Sequence, residues 1–337
     1  MFDFLVLGGG SMATAMAYLL SNGGTRNVMM WLRNEKKAEE INRLKQNLEY
    51  LPSLILPNKV IATADLTEAL NQSQRLVIAV PSNVVHTLLN QIQGNVDRKQ
   101  IRILSVVKGL DCGTESRISV LVSRSLNVPL ENFAVLSGPN FASELIGNTP
   151  SVTIIASINN ETLFMFKEAL ESEHLIVYSS DDVAGVEIAS VLKNIIAMVM
   201  GIVDGLGFGA NTRGAVFTAC MKEALDIGTH IFDAKPQTIL GPACLGDAIT
   251  TSFSSKSRNY LLGLLLAKKA SSGNPEDSFL CEGRNNVRLI RNLAVRHGIK
   301  APIIEFVYRI MEGVHAYPAF SSLWKDMKSL HFNDNGL

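Results

Sequence analysis

Eight short apolar runs dominate the first 180 residues, and their spacing limits the folds open to the chain. They are FLVL (4–7), NVMMWL (27–32), VIAT (60–63), RLVIAV (75–80), IRILSV (101–106), FAVLSG (133–138), SVTIIAS (151–157) and HLIVYSS (174–180). Helical patterns separate them, among them the segment from about Ser11 to Ser21 and the charged stretch NEKKAEEINRLKQNL. Parallel strands need long crossovers, and strands alternating with helices supply them. The pattern therefore predicts a mostly parallel sheet covered by helices on both faces. After about Ser180 it stops. Helical stretches follow around 183–203, 212–232, 257–270, 286–297 and 302–313, broken at DGLGFGAN, DAKPQT, SSGNPED and HGIKAP. The expected organisation is a domain over 1–180 and an all-helical domain over 181–337.

The first run ends in VLGGGSMATA, which gives the first domain a chemical purpose. Gly8-x-Gly10-x-x-Ala13 has the form of a dinucleotide fingerprint, directly after a strand and opening a helix. Its first glycine makes a tight turn, and its second lets backbone approach a pyrophosphate. Its small third residue packs helix on strand, with the phosphates at the helix N-terminus. The first domain is thus expected to be a Rossmann-like dinucleotide-binding domain. In such sheets ligands lie beyond the carboxyl ends of the strands. Those ends are Gly8–Met12, Arg33, Pro81–Ser82, Lys108 and Gly138–Asn140. Where an acid for a ribose hydroxyl is usual, the second strand ends in WLRNEKK. Arg33 suits a 2′-phosphate, which favours NADP over NAD, although a solvated basic helix start has the same sequence.

Composition excludes several other classes. Hydrophobic residues make up 47% of the chain and charged residues 18%, which suits a large core and not disorder. Lys plus Arg balances Asp plus Glu at 31 each, so no nucleic-acid surface is expected. Cys112, Cys220, Cys244 and Cys281 are scattered and the six histidines do not cluster. That pattern suits reduced cytosolic thiols and no metal. MFDFLVLGGG reads as a strand rather than a signal peptide. No membrane span is expected, since Glu187, Lys193 and Asp204 interrupt the most apolar stretch, GVEIASVLKNIIAMVMGIVDGLG.

Lys193 stands out in that stretch. Its neighbours on the same helix face are Val186, Ala189, Ser190, Ala197 and Met200, none of them acidic. A buried ammonium needs either a partner or a function. Further on, SKSRN offers Ser257, Arg258 and Asn259 near a helix start. A hydroxyl, a guanidinium fork and an amide suit a phosphate dianion, and equally an ordinary N-cap beside a solvated arginine.

Taken together these segments resemble the bacterial NAD(P)-dependent glycerol-3-phosphate dehydrogenase family. The match runs from GGGSMATAMA through NLEYLPSLILP, ATADL, AVPSNVV, VKGLD and LSGPNFASEL, then GVEIASVLKNIIA, GFGANTR, LGD, SRN and EG. The resemblance implies reversible hydride transfer between a nicotinamide, NADP or NAD, and dihydroxyacetone phosphate or glycerol 3-phosphate. It implies Lys193 as the catalytic lysine, exchanging a proton with the substrate oxygen, and Asp247 beside it. For the substrate it implies Lys108, Gly138, Asn140, Lys193, Asp247, Ser257, Arg258 and Asn259. For the cofactor it implies Ser11, Met12, Lys108, Ala142, Arg258 and Glu282, besides Gly8, Gly10 and Arg33. It also implies a cytoplasmic homodimer whose product feeds glycerophospholipid synthesis.

The chain departs from the family pattern in places. Met12 stands for an aromatic residue, and Ala13 and Cys244 stand for glycines. Asn140 stands for Ser or Thr, and Ala219-Cys220 for Arg-Gly. These departures leave two other readings open: a paralogue that reduces another 2-oxo substrate, and a nucleotide sensor without turnover.

Overall fold

The structure is a computed structural model. It describes the chain except residues 95, 96, 98, 99, 112, 269–280 and 330–337, and leaves out the side chains of 281, 282, 284 and 329. The chain divides into two compact units, Met1–Glu187 and Ile188–Leu337.

Among its described residues the first unit holds ten strands: β1 (Phe4–Leu7), β2 (Val28–Trp31), β3 (Val60–Thr63), β4 (Arg75–Ile78), β5 (Arg102–Ser105), β6 (Leu110–Asp111), β7 (Ser116–Arg117), β8 (Phe133–Ser137), β9 (Ser151–Ala156) and β10 (Leu175–Ser180). Eight form one sheet in the order β10-β9-β8-β5-β4-β1-β2-β3. All its pairings are parallel except that of β8 with β9. This is the expected α/β fold, a Rossmann-like, mostly parallel sheet, and all eight apolar runs became its strands. Position in the sheet explains their composition. Inner strands β1, β2 and β8 are buried at every residue, as helices on both faces require, whereas edge strands β3 and β10 alternate. The strand order reverses between β1 and β4, where such sheets place their ligand crevice. The short hairpin β6–β7 was not foreseen, because two-residue strands carry no periodicity.

Glu187 closes this unit. It is 2% exposed, and its carboxylate accepts from the Ser119 N–H at 2.7 Å, the Ser119 hydroxyl at 2.6 Å and Arg117 Nη1 at 2.8 Å. Ser119 lies in the first turn of the helix Ile118–Leu126, where an anion is favoured. Burial nevertheless pushes the carboxyl above its ordinary range, against the pull of Arg117 and Ser119.

The second unit is helical. The helix Val183–Gly205, which begins in the first unit, is the one helix among the described residues long and apolar enough to cross a membrane. Its apolar window is 94% buried inside the protein. The helices Ala210–Phe232, Arg258–Lys268, Cys281–Arg296, Pro302–Met311 and Ala316–Asp326 complete the main bundle, joined by shorter turns.

Glu223 is buried in this bundle. Its carboxylate accepts the N–H groups of Ile303 and Ile304 at 2.7 and 2.9 Å, capping the helix Pro302–Met311 from a distance. Burial pushes its carboxyl from 4.5 up to about 8, although the two N–H bonds pull the other way. The folded state thus binds this proton more tightly than the unfolded state. The stabilisation is complete below the unfolded value and is lost as pH rises through the folded one. The thermal midpoint is therefore expected to fall between about pH 5 and about pH 8, with a flatter profile for Glu223→Gln.

Candidate active site

The glycine turn follows β1 directly. Gly8 has φ +143°, a conformation that favours glycine, and a Cβ there would lie 2.4 Å from the carbonyl oxygen of Ala79, just past β4. The turn is thereby pressed into the place where the strand order reverses. Ala13 is fully buried, its Cβ 3.2 Å from where a Gly8 Cβ would stand, so the third residue of the fingerprint must be small. Gly10 differs: nothing lies within 4 Å of a Cβ built on it. The helix Ser11–Ser21 starts there with no side-chain cap and no acidic residue in its first turn. A clear approach to a helix N-terminus suits a pyrophosphate, so the residues present fit a dinucleotide. Arg33 is exposed just beyond β2.

The ends of β5 and β8 bring more of the expected residues together. Lys108 Nζ donates to the Gly138 carbonyl at 3.3 Å. Gly138 has φ +142°, and a Cβ there would sit 3.1 Å from the Thr153 Cα. Asn140 is buried. Its Nδ2 donates to the Val152 carbonyl at 3.2 Å and its Oδ1 accepts the Thr153 hydroxyl at 2.8 Å. Those two bonds tie the loop after β8 to β9, a bracing job that the sequence did not disclose. Ala142 opens the helix Ala142–Leu145.

In the second unit the question about Lys193 has an answer. It is 4% exposed, and its Nζ donates to Asp247 Oδ1 at 3.0 Å. Periodicity could not show this partner, because it lies on another segment. The Pro242–Gly246 stretch is a π-helical turn, a geometry often found at functional sites, and Asp247 follows it. Asp247 is the first residue of the short helix Asp247–Ser252. Cys244, on that turn, is fully buried. Burial first, and then the Asp247 charge, push its thiol up to about 12. Both effects favour the thiol over the thiolate.

Ser257 is buried, and its Oγ accepts the Tyr260 N–H at 3.3 Å, so the N-cap reading holds. A hydroxyl has one donor and two acceptor sites, so capping leaves its proton for another oxygen. Arg258 and Asn259 open the next helix, with Arg258 exposed. The Tyr260 hydroxyl donates to Asp204 Oδ2 at 2.6 Å, and Asp204 pairs with Arg213. Glu282 lies in the helix Cys281–Arg296, with its side chain outside the described residues. Among the described residues no three His, Cys, Asp or Glu side chains gather as a metal site needs.

Comparison with known proteins separates this chain from other proteins that share a glycine turn. The profile of the NAD-dependent glycerol-3-phosphate dehydrogenase N-terminus matches residues 4–163, and that of its C-terminus matches 182–319. The chain belongs to the NAD-dependent glycerol-3-phosphate dehydrogenase family. It is 36% identical to glycerol-3-phosphate dehydrogenase [NAD(P)+] of Carboxydothermus hydrogenoformans over 308 residues, 91% of each chain. It is 34% identical to the protein of that name from Geobacillus thermodenitrificans, over 99% of this chain and 98% of that one. The crystal structure of glycerol-3-phosphate dehydrogenase from Coxiella burnetii superposes with a TM-score of 0.85 at 30% identity, covering 96% of this chain and 99% of that one.

For a glycerol-3-phosphate dehydrogenase family member, two groups went unnoticed in the sequence. One is Asn47, in the matched segment NLEYLPSLILP. The other is the Asp204–Arg213–Tyr260 set behind the first turn of the Arg258–Lys268 helix. Both act on residues that look functional rather than looking functional themselves. The family departures Ala219 and Cys244 are buried, at 1% and 0% exposure.

Proposed function

We propose that this chain reduces dihydroxyacetone phosphate reversibly to sn-glycerol 3-phosphate, using NADPH or NADH. The observation that carries the reading is the buried Lys193–Asp247 pair, in a chain whose glycine turn opens onto an uncapped helix. When bound, a reduced nicotinamide supplies the hydride for the C2 carbonyl carbon. Lys193 Nζ gives its proton to the carbonyl oxygen as negative charge develops there, and recovers one from the hydroxyl in reverse. Asp247 holds the ammonium in place and balances its charge. Arg258 pairs with the phosphate through its fork, Asn259 through its amide, and Ser257 through the hydroxyl proton that capping leaves unused. Lys108, Gly138 and Asn140 shape the substrate side. Gly8, Gly10, Ser11, Met12, Arg33, Lys108, Ala142, Arg258 and Glu282 serve the dinucleotide.

The same reading divides the chain into a dinucleotide-binding domain over 1–180 and a helical substrate domain over 181–337. The second family profile begins at residue 182, which supports that division. It also takes the enzyme to be a cytoplasmic homodimer whose product feeds glycerophospholipid synthesis.

The test is NADPH and NADH oxidation by purified protein, with dihydroxyacetone phosphate beside a non-phosphorylated 2-oxo analogue. Turnover should require the phosphate. A faster reaction with the analogue would overturn the assignment of Ser257, Arg258 and Asn259. If Arg33 meets a 2′-phosphate, Arg33→Ala should raise the KM for NADPH about tenfold and leave that for NADH unchanged.

A further inference from the structure

Asn47 lies 38 residues from the glycine turn in sequence and touches it in space. Its Nδ2 donates to the Gly9 carbonyl at 3.0 Å and to the Thr14 hydroxyl at 2.8 Å. The two acceptors stand on either side of the junction between turn and helix. Thr14 continues the chain of bonds: its hydroxyl and its N–H both donate to the Gly10 carbonyl, at 3.0 and 2.9 Å. One primary amide therefore uses both its protons to hold Gly9, Gly10 and the first turn of Ser11–Ser21 in one arrangement.

Three further observations show that the amide is there for these two bonds. Asn47 is 1% exposed, and its Oδ1 is buried without a hydrogen-bond partner. An unpaired buried acceptor is destabilising, so the position is kept for what the nitrogen does. Asn47 is itself held: its carbonyl accepts from Tyr50 and Leu51, at 3.2 and 2.9 Å. Its segment is tied down on both sides as well. The Leu56 N–H donates to the Lys45 carbonyl at 2.7 Å, and Lys45 Nζ donates to the Val60 carbonyl in β3 at 3.0 Å.

The consequence follows from peptide geometry. In a planar trans peptide the C=O and the following N–H point in opposite directions, and there are no cis bonds among the described residues. Fixing the Gly9 carbonyl on Asn47 therefore directs the Gly10 N–H away from Asn47. Gly10 is the glycine whose own surroundings are open. We propose that Asn47 is a positioning residue for the cofactor: acting through the Gly9–Gly10 peptide, it aims the Gly10 N–H at the pyrophosphate. Its amide bonds the turn and the helix, not a ligand site of its own. The proposal rests on the reading of the turn as a dinucleotide site.

The test is direct titration of NADPH and NADH fluorescence in full-length protein without substrate, alongside steady-state kinetics. Asn47→Asp keeps the shape and removes both donated protons. It should weaken both nucleotides about tenfold or more and raise the KM for NADPH to match. The kcat at saturation and the KM for dihydroxyacetone phosphate should change less than twofold. Thr14→Val removes one of the two acceptors and should weaken nucleotide binding about threefold. Combined with Asn47→Asp it should add little, because the two residues act as one unit. Unchanged nucleotide affinity in a folded Asn47→Asp protein would overturn the proposal. So would a loss of thermal stability and kcat with no change in affinity, which is the signature of a purely structural residue. Because the titration contains no substrate, it judges Asn47 even if dihydroxyacetone phosphate is not turned over.

Discussion

Replacing Lys193 with methionine is expected to lower kcat about a thousandfold or more while leaving nucleotide affinity unchanged. The size comes from removing the proposed proton donor of the chemical step, an effect of roughly 10²–10⁴ in general acid–base catalysis, together with its positive charge beside the developing alkoxide. Stability has to be separated from chemistry, because the lysine is paired at 3.0 Å with an Asp247 that is 1% exposed. Deleting one member of a buried pair leaves the other uncompensated, at about 3–5 kcal/mol. The double variant Lys193→Met with Asp247→Asn removes both charges, and should recover much of the thermal midpoint and none of the turnover. Lys193→Arg supplies the sharper test. A guanidinium keeps the charge and the pairing but does not release a proton near neutral pH. If charge stabilisation alone accounted for the rate, Lys193→Arg would retain most of its activity; with proton transfer required, it falls with the methionine variant. Full activity in the methionine variant would remove Lys193 from the mechanism, and full activity in the arginine variant would remove proton transfer from its role.

How far this site could be read from the sequence depends on how local each signal is. The glycine turn was legible because its requirements lie within six residues: a positive φ at Gly8, clearance at Gly10 and a small Ala13. The strands were legible because apolar runs of about four residues bounded by turn residues have few other uses in an alternating pattern. Lys193 was conspicuous for the opposite reason, as a charge whose own helix gave it nothing to pair with. Its partner came only from the resemblance and not from periodicity, since Asp247 lies 54 residues away on another segment. Asn140 shows the converse. It was taken from the resemblance as a substrate contact, and its amide proves to be engaged with Val152 and Thr153. Asn47 had no local signature, since an asparagine in a loop suggests a turn before it suggests a clamp on a distant peptide.

Gly263→Ala should be among the most destabilising single-methyl additions in the second unit. A Cβ on Gly263 would stand 2.0 Å from the Met198 carbonyl oxygen and 2.9 Å from the Gly201 Cα. A Cβ on Gly201 would stand 2.1 Å from the Tyr260 carbonyl oxygen. These are backbone atoms of two helices, Val183–Gly205 and Arg258–Lys268, packed through a glycine from each. Backbone cannot rotate aside as a side chain would, so the helices must separate. Overpacking costs about 1–3 kcal/mol or more, against a helix-propensity gain of at most about 1 kcal/mol from replacing glycine. The thermal midpoint should drop by roughly 2–6 °C. The control is Gly214→Ala on the helix Ala210–Phe232, where nothing lies within 4 Å and the same methyl should be neutral or stabilising. The crossing joins the helix that carries Lys193 to the one that begins with Arg258 and Asn259. Forcing the helices apart should therefore raise the KM for dihydroxyacetone phosphate more than that for the nucleotide, whose turn lies in the other unit. Equal midpoints for Gly263→Ala and Gly214→Ala would show that the helices can yield at their crossing. The bundle could then not be what sets the spacing between the lysine and the turn proposed to bind the phosphate.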